Sequence, residues 1–370
     1  MNPEILLVGS MPYDTVDDVY SGTASLAPYL NAIPDGETGA RRFWTPYLPS
    51  RTFSGHPDLI EVSRPGWAEF LEEGHDERAT DGDVNEHWPF KIKPGVTSLD
   101  FGSLHYAEPS LVSYRRLKAA QDRGDLPADL KFQVGIPSTD SVVEDYFPER
   151  EDWPLAKKAY QQAAFREIEQ MLEEIPADKL VVQWDLAVEP VNLELDINPW
   201  RSETAEHPSE AETETRDEIY ARHMRSINEL WKGVPEPVEL AYHWCYGTWG
   251  GWPMTEMTSL SLCVDLSNDV VANSGRPVQY VHMPVMPDAD EAFFEPLKDL
   301  DIGDTKVYLG IIHHDDSDPN GFERRFELAR RFLPDFGIAG VCGYGRLPKS
   351  AAKNIVASHE QSAALVQAAN

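Results

Sequence analysis

His243 and Cys245 close the segment "VELAYHWC", and a second cysteine, Cys342, sits far downstream in "VCGYG". Successive side chains of an extended strand alternate faces, so His243 and Cys245 point the same way. Two thiolates with one or two imidazoles form a borderline-soft donor set that favours zinc over magnesium or calcium. His282, in "VQYVHMP", is the candidate fourth ligand, with a satisfied interior histidine as the plainer alternative. A closed four-ligand set would be structural, whereas three firm ligands and one exchangeable position would be catalytic. The glycines around Cys342 let backbone come close to a bound group. Cys263, in "SLSLCVDL", reads as a core residue.

Donors so far apart in the chain need strands that carry their ends to one rim. Eight β-branched or aromatic runs bounded by turn residues supply them: "EILLVGS", "YLNAIPDG", "KFQVGIPS", "KLVVQWD", "VELAYHWC", "PVQYVHMP", "KVYLGIIHH" and "GIAGVCGYG". Helical stretches lie between several of them, over 153–175, 218–233 and 322–337, the last two ending at glycines as a helix stop should. Apolar strands alternating with helices make a parallel sheet covered on both faces, and the count of eight favours a closed barrel. The expected fold is α/β, a single (β/α)8 TIM barrel over residues 1–370 with long loop insertions. The segment 51–129 has room for a hairpin or a lid, and 202–218, rich in Glu, Thr and Ser, reads as an acidic surface loop.

In such a barrel the chemistry collects at the carboxyl ends of the strands. By that rule Ser10, Asp35, Glu37, Asp185 and Glu189 are candidate substrate-binding residues. His243, Cys245, His282 and Cys342 are the candidate metal ligands, and His313 and His314 end the seventh strand. "DGETG" has a second reading as a plain turn, and the tryptophans of "WGGW" either pack or floor a pocket.

With 63 acidic against 32 basic residues, the net charge of -31 repels phosphate backbones and anionic lipid, so neither nucleic acid nor membrane is an expected partner. Adaptation to high salt is an alternative source of that charge. Three cysteines suit a reducing compartment, no run approaches the roughly 20 apolar residues of a membrane span, and "MNPEILLVGSMP" lacks the marks of a signal peptide. The expected location is cytoplasmic. Neither GxGxxG after the first strand nor GxxxxGK[ST] occurs, which leaves dinucleotide and P-loop nucleotide sites unsupported.

The pattern resembles the zinc-binding, carboxyl-terminal barrel of the cobalamin-independent methionine synthases, within the uroporphyrinogen-decarboxylase-like superfamily. Epoxyalkane:coenzyme M transferase is a similar single-barrel cousin. "VGSMP" stands where the family has Gly-Ser-aromatic-Pro, "VVQWDLAVEP" where it has a Gln-x-Asp-Glu-Pro strand, "HWC" for its His-x-Cys pair, and "VCGYG" for its final Asp-Cys-Gly. The resemblance implies zinc on His243, Cys245 and Cys342, a thiol substrate whose polar end meets Asp185 and Ser10, and His313 as proton donor. The chain departs from the family where a glutamate ligand is replaced by His282, in "IPDGETGARRFW", and in having no counterpart of the long synthases' amino-terminal half barrel. The function implied is zinc-dependent methyl or alkyl transfer to a thiol acceptor from an alkyl donor, both small molecules, with a homo-oligomer left open. Two other functions fit the residues alone: a zinc Lewis-acid lyase or hydrolase acting on a carbonyl or carboxylate, and a barrel that binds a small ligand without turnover.

Overall fold

The apolar runs become short parallel strands because each is covered on both faces and is followed by a segment that returns over the sheet. The computed structural model describes residues 3–66, 68, 88–195, 214–248 and 252–369. Among them are ten strands: β1 (Ile5–Leu6), β2 (Ala32–Pro34), β3 (Leu59–Glu61), β4 (Phe90–Ile92), β5 (Lys131–Pro137), β6 (Leu180–Leu186), β7 (Glu239–Trp244), β8 (Tyr280–Pro284), β9 (Lys306–Ile312) and β10 (Gly337–Gly340). Eight form one sheet in the order β1-β10-β9-β8-β7-β6-β5-β2. Every pairing in it is parallel, and a single bridge from Ile5 to Leu30 brings its two edges together. The fold is a TIM barrel, nearly closed.

Strands β3 and β4 pair antiparallel outside the barrel, within the 51–129 segment. Most of the acidic stretch 202–218 lies outside the described residues, as do 249–251 of "WGGW". None of the helices among the described residues is long and apolar enough to cross a membrane.

Leu6, Val8, Ala32, Val181, Ala241, Tyr280, Tyr308 and Ala339 pack inside the ring as its floor, while a larger cluster lies between the strands and the helices. Above the floor a row of polar side chains crosses three neighbouring strands: Asp185 is in register with His243, and His243 with His282. Alternation on the strand therefore puts apolar and small residues at the bottom and polar ones at the mouth.

The connecting helices include α1 (Val16–Gly22), α2 (Ala107–Arg123), α3 (Thr139–Tyr146), α4 (Trp153–Met171), α5 (Val188–Leu195), α6 (Arg216–Ile227), α7 (Ser261–Asn273), α8 (Glu291–Phe294), α9 (Gly321–Arg330) and α10 (Ala352–Ala368). Local sequence explains several starts. Ser138 caps α3 by accepting from the Ser141 amide, and Thr215 and Glu218 form a reciprocal capping box on α6. The three expected helices stop earlier than the sequence suggests: α4 at Met171, α6 at Ile227, and α9 at Arg330, where Gly337 instead opens β10. The Tyr308 ring lies against Gly337, where an added Cβ would meet it at 2.3 Å. That glycine is required for strand packing, not for a helix cap.

Candidate functional site

The carboxyl ends of the strands surround a cavity of about 420 Å3 whose lining includes Ser10, Glu37, Asp185, His243, Cys245, His313, His314 and Cys342. His243 and Cys245 arrive from β7 on one face, and Cys342 from the loop after β10. One donor atom from each of the three lies within 4.8 Å of the others. The two Sγ atoms are 3.4 Å apart. Two zinc–sulfur bonds of about 2.3 Å at a tetrahedral angle would set them roughly 3.8 Å apart, so the pair needs little adjustment to share an ion. The hydrogen bond to Cys245, together with burial, holds the Cys342 thiol well above its usual pKa. It stays protonated until a cation compensates the charge.

His243 is buried and its pKa is pushed well below the imidazole range, first by burial and then by His282. Its Nδ1 meets the His282 Nδ1 at 2.6 Å, while its Nε2 has no protein partner. A buried imidazole nitrogen without a partner, beside two thiols, is what a vacant ligand atom looks like. The donor set fits zinc in number, type and spacing.

His282, the fourth donor anticipated from its place on β8, makes two contacts within the protein. Its Nε2 sits 3.0 Å from the Gly340 carbonyl oxygen and its Nδ1 faces His243, so both ring nitrogens are already engaged. Three donors from the cavity lining could hold a metal with a fourth position open to substrate, as a catalytic metal centre would need.

The five substrate-binding candidates divide in two. Ser10, Glu37 and Asp185 line the cavity. Asp35 lies beneath it: its carboxylate takes the Arg41 guanidinium at 2.6 Å, the Ser113 hydroxyl at 2.7 Å and the Glu37 amide at 2.9 Å. Burial raises its pKa, but Arg41 and these bonds outweigh burial and leave it below the usual value. Asp35 thus holds the turn that presents Glu37, whose backbone has a φ of 48°. Glu189 is directed away from the cavity, where the Ser138 and Ser141 hydroxyls hold it.

Asp185 and Glu37 approach each other over Gly135. A Cβ at that glycine would stand 2.7 Å from Asp185 Oδ2 and 3.0 Å from Glu37 Oε1, so only glycine leaves both carboxyls in place. Burial raises Glu37 to about 7. Burial and the neighbouring Glu37 raise Asp185 well above the carboxylate range, against the bond from Gln183 at 2.7 Å. The pair therefore keeps a proton near neutral pH and carries less than its full double charge.

His313 stands in the opposite wall. One ring nitrogen bonds the Val285 backbone, Nε2 has no protein partner, and the Trp252 ring centroid is 5.9 Å away. Burial, and then Arg325, lower its pKa to about 4, so the ring is neutral at pH 7. Arg325 fixes this wall: buried itself, it donates to the Ile311 and Pro287 carbonyls and to Asp316 at 2.6 Å.

Arg346 was not singled out from the sequence and lines the cavity too, reaching Thr248 Oγ1 at 2.6 Å and the Phe43 carbonyl at 3.1 Å. Trp44, Trp88 and Tyr146 complete an aromatic side. Trp44 and Trp88 come from loops, where no periodicity marks them, and Tyr146 from the end of α3. Its position in "CGYGR", four residues after Cys342, was the one available sign for Arg346. Cys263 is fully buried in the core, as read from its sequence context.

No family model matches the chain, and no curated protein matches it in sequence. Among solved structures, the B12-independent methionine synthase of Shewanella sp. W3-18-1, in complex with selenomethionine, has a similar fold. The TM-score is 0.59 at 11% identity, over 99% of this chain and 98% of that one. A putative vitamin-B12-independent methionine synthase from Listeria monocytogenes gives a TM-score of 0.55 at 14% identity, over 98% of this chain and 99% of that one. The likeness is one of fold. These neighbours belong to the family that "VGSMP", "VVQWDLAVEP", "HWC" and "VCGYG" resemble.

A second group of donors, Asp140, Glu144 and His223, also lies within bonding distance of a common point. There the cations are the protein's own. Lys157 reaches Asp140 at 2.8 Å and Glu144 at 2.7 Å, Arg222 bonds Glu144, and His223 Nδ1 meets Asp140 at 2.8 Å. This is a buried ion network that ties α3, α4 and α6 together.

Proposed function

We propose that the protein is a zinc-dependent enzyme that transfers a methyl or larger alkyl group to the sulfur of a small thiol. The observation that carries the reading is the convergence of a ring nitrogen of His243, Cys245 Sγ and Cys342 Sγ at the open end of the barrel. Zinc held there would stabilise an incoming thiol as its thiolate near neutral pH. The cavity beside these donors supplies the remaining requirements from the chain itself.

The Shewanella synthase binds selenomethionine, an amino acid with an alkylated chalcogen. An acceptor of the same class suits this cavity. Its ammonium group would face Asp185 and Glu37, which together offer one negative charge as Glu37 ionises near pH 7, Asp185 keeping its proton. Ser10 shapes that end: its hydroxyl accepts from the Gly345 amide at 3.0 Å and its carbonyl from the Tyr344 amide at 2.7 Å. Neutral His313 accepts a proton through Nε2 before it returns one to the leaving group, so it acts as a shuttle. Trp252, Trp44 and Trp88 make the side of the cavity that would receive the uncharged part of the alkyl donor.

The test combines metal analysis with a thiol-consumption screen. Purified protein should hold close to one equivalent of zinc, and the zinc-loaded form should consume homocysteine or another small thiol with an alkyl donor. Zinc below about half an equivalent, unrestored by added metal, would sink the metal assignment. Full zinc with no thiol consumed, but turnover of a carbonyl or carboxylate substrate, would replace this reading with a Lewis-acid lyase or hydrolase.

A further inference from the structure

We propose that His282 is a positioning residue that fixes the tautomer of His243 and braces it against the strand leading to Cys342, leaving a three-donor metal centre with an open fourth place. This rests on the zinc reading above, although part of its test does not.

The argument follows the protons. The Gly340 carbonyl can only accept, so the His282 Nε2 lying 3.0 Å from it carries hydrogen. A neutral ring has one such hydrogen, which leaves a lone pair on His282 Nδ1. The His243 Nδ1 at 2.6 Å must then donate to that lone pair. The lone pair of His243 is thereby forced onto Nε2, the atom that no protein group meets, on the residue that has a donor within 4.8 Å of both cysteine sulfurs. Reversing the chain would put a hydrogen on His243 Nε2 and abolish it as a ligand.

Packing supports the same assignment. His282 lies on β8 and its acceptor on β10, so the imidazole must cross β9, where the intervening residue is Gly310. A Cβ at Gly310 would stand 2.9 Å from the Gly340 carbonyl oxygen, the atom that His282 uses. Glycine leaves that contact open. Gly340 is also two residues before Cys342, so one imidazole links the strand bearing His243 to the strand that delivers the third donor. Outer groups that orient a ligating histidine in this way usually contribute 10- to 100-fold in metal affinity.

Three measurements test this on the full-length protein. In metal-free protein, 15N NMR of the imidazoles between pH 6 and 8 should find His282 protonated at Nε2 and His243 at Nδ1; the opposite tautomers would overturn the proposal. Zinc X-ray absorption of the loaded wild type should show two sulfurs and one imidazole, and His282→Ala should keep that shell. A second imidazole in wild type that is lost in His282→Ala would make His282 a ligand and end the proposal. Chelator competition should show zinc bound about 10- to 100-fold more weakly in His282→Ala. His282→Gln, whose amide can donate to Gly340 and accept from His243, should recover most of that loss. Equal affinity in all three proteins, or no recovery with glutamine, would also overturn it. Should the wild type bind no zinc, the proposed function fails, and the metal-free tautomers still decide this point.

Discussion

Cys245 and Cys342 are separated by 97 residues in the chain, and their sulfur atoms stand 3.4 Å apart. Each is one of only two thiolates available to the centre, so replacing either should release the metal. Cys342→Ser and Cys245→Ser should each retain less than about one tenth of an equivalent of zinc after gel filtration, with the barrel still folded by far-ultraviolet circular dichroism. Retention of a full equivalent by either variant would show that the sulfur is not a ligand.

Replacing the Asp185 carboxyl should act on substrate and leave the proposed metal alone. Asp185→Asn should raise the KM for an amino-acid thiol by about 10-fold, the loss expected of one hydrogen bond to a charged group, with zinc content unchanged. Thiols lacking the ammonium group should show little difference between the two proteins.

Glu37 makes the site sensitive to pH. Burial raises it from 4.5 to about 7, so binding of an ammonium-bearing thiol should strengthen as pH rises through about 7 and its proton leaves. Glu37→Gln should flatten that dependence in a titration from pH 6 to 8. Stability moves the other way. Between pH 4.5 and about 7 the folded protein holds a proton that the unfolded chain has lost, so this group's contribution to stability falls as pH rises. The Tm of Glu37→Gln relative to wild type should therefore be higher at pH 8 than at pH 5.

The proposed function gives His313 a role in proton transfer and none in holding metal. His313→Gln should lower kcat by roughly 100- to 10,000-fold while zinc content stays at the wild-type level. Loss of zinc instead would move His313 into the ligand set.

Arg325 carries the wall in which His313 sits. Arg325→Met leaves Asp316 and two backbone carbonyls without their shared donor, and should cost about 3 kcal/mol in urea unfolding. A change within a few tenths of that in wild type would mean that solvent replaces the guanidinium.

The barrel was legible because each strand is apolar on both faces, bounded by turn residues, and followed by a returning segment. Cys245 and His243 share a face by strand alternation, and the rule that chemistry gathers at carboxyl ends brought Cys342 to them. The same rule could not separate Glu37 from Asp35, or Asp185 from Glu189. Asp35 and Glu37 both follow β2, and the turn decides which enters the cavity: Glu37 turns in at a positive φ while Asp35 turns under to Arg41; Asp185 lies on β6, and Glu189 on α5 just after it. His282 is ambiguous from sequence for a related reason. Its strand position and ring chemistry both suit a ligand, and only the Gly340 carbonyl, a backbone atom with no signature in side-chain type, determines where its protons lie. The helix expected to run to Gly337 stopped earlier because that glycine serves the Tyr308 ring.

The join between the first two strands of the ring has a consequence of its own. β1 is two residues long, β2 three, and one bridge from Ile5 to Leu30 closes the circle between them. Ser10 leaves that narrow stave and is clasped by the loop after β10, so the thinnest seam of the cask is also the sill of its opening. Fraying there would loosen the Cys342 loop while most of the hoop still stands, and metal release should run ahead of global unfolding.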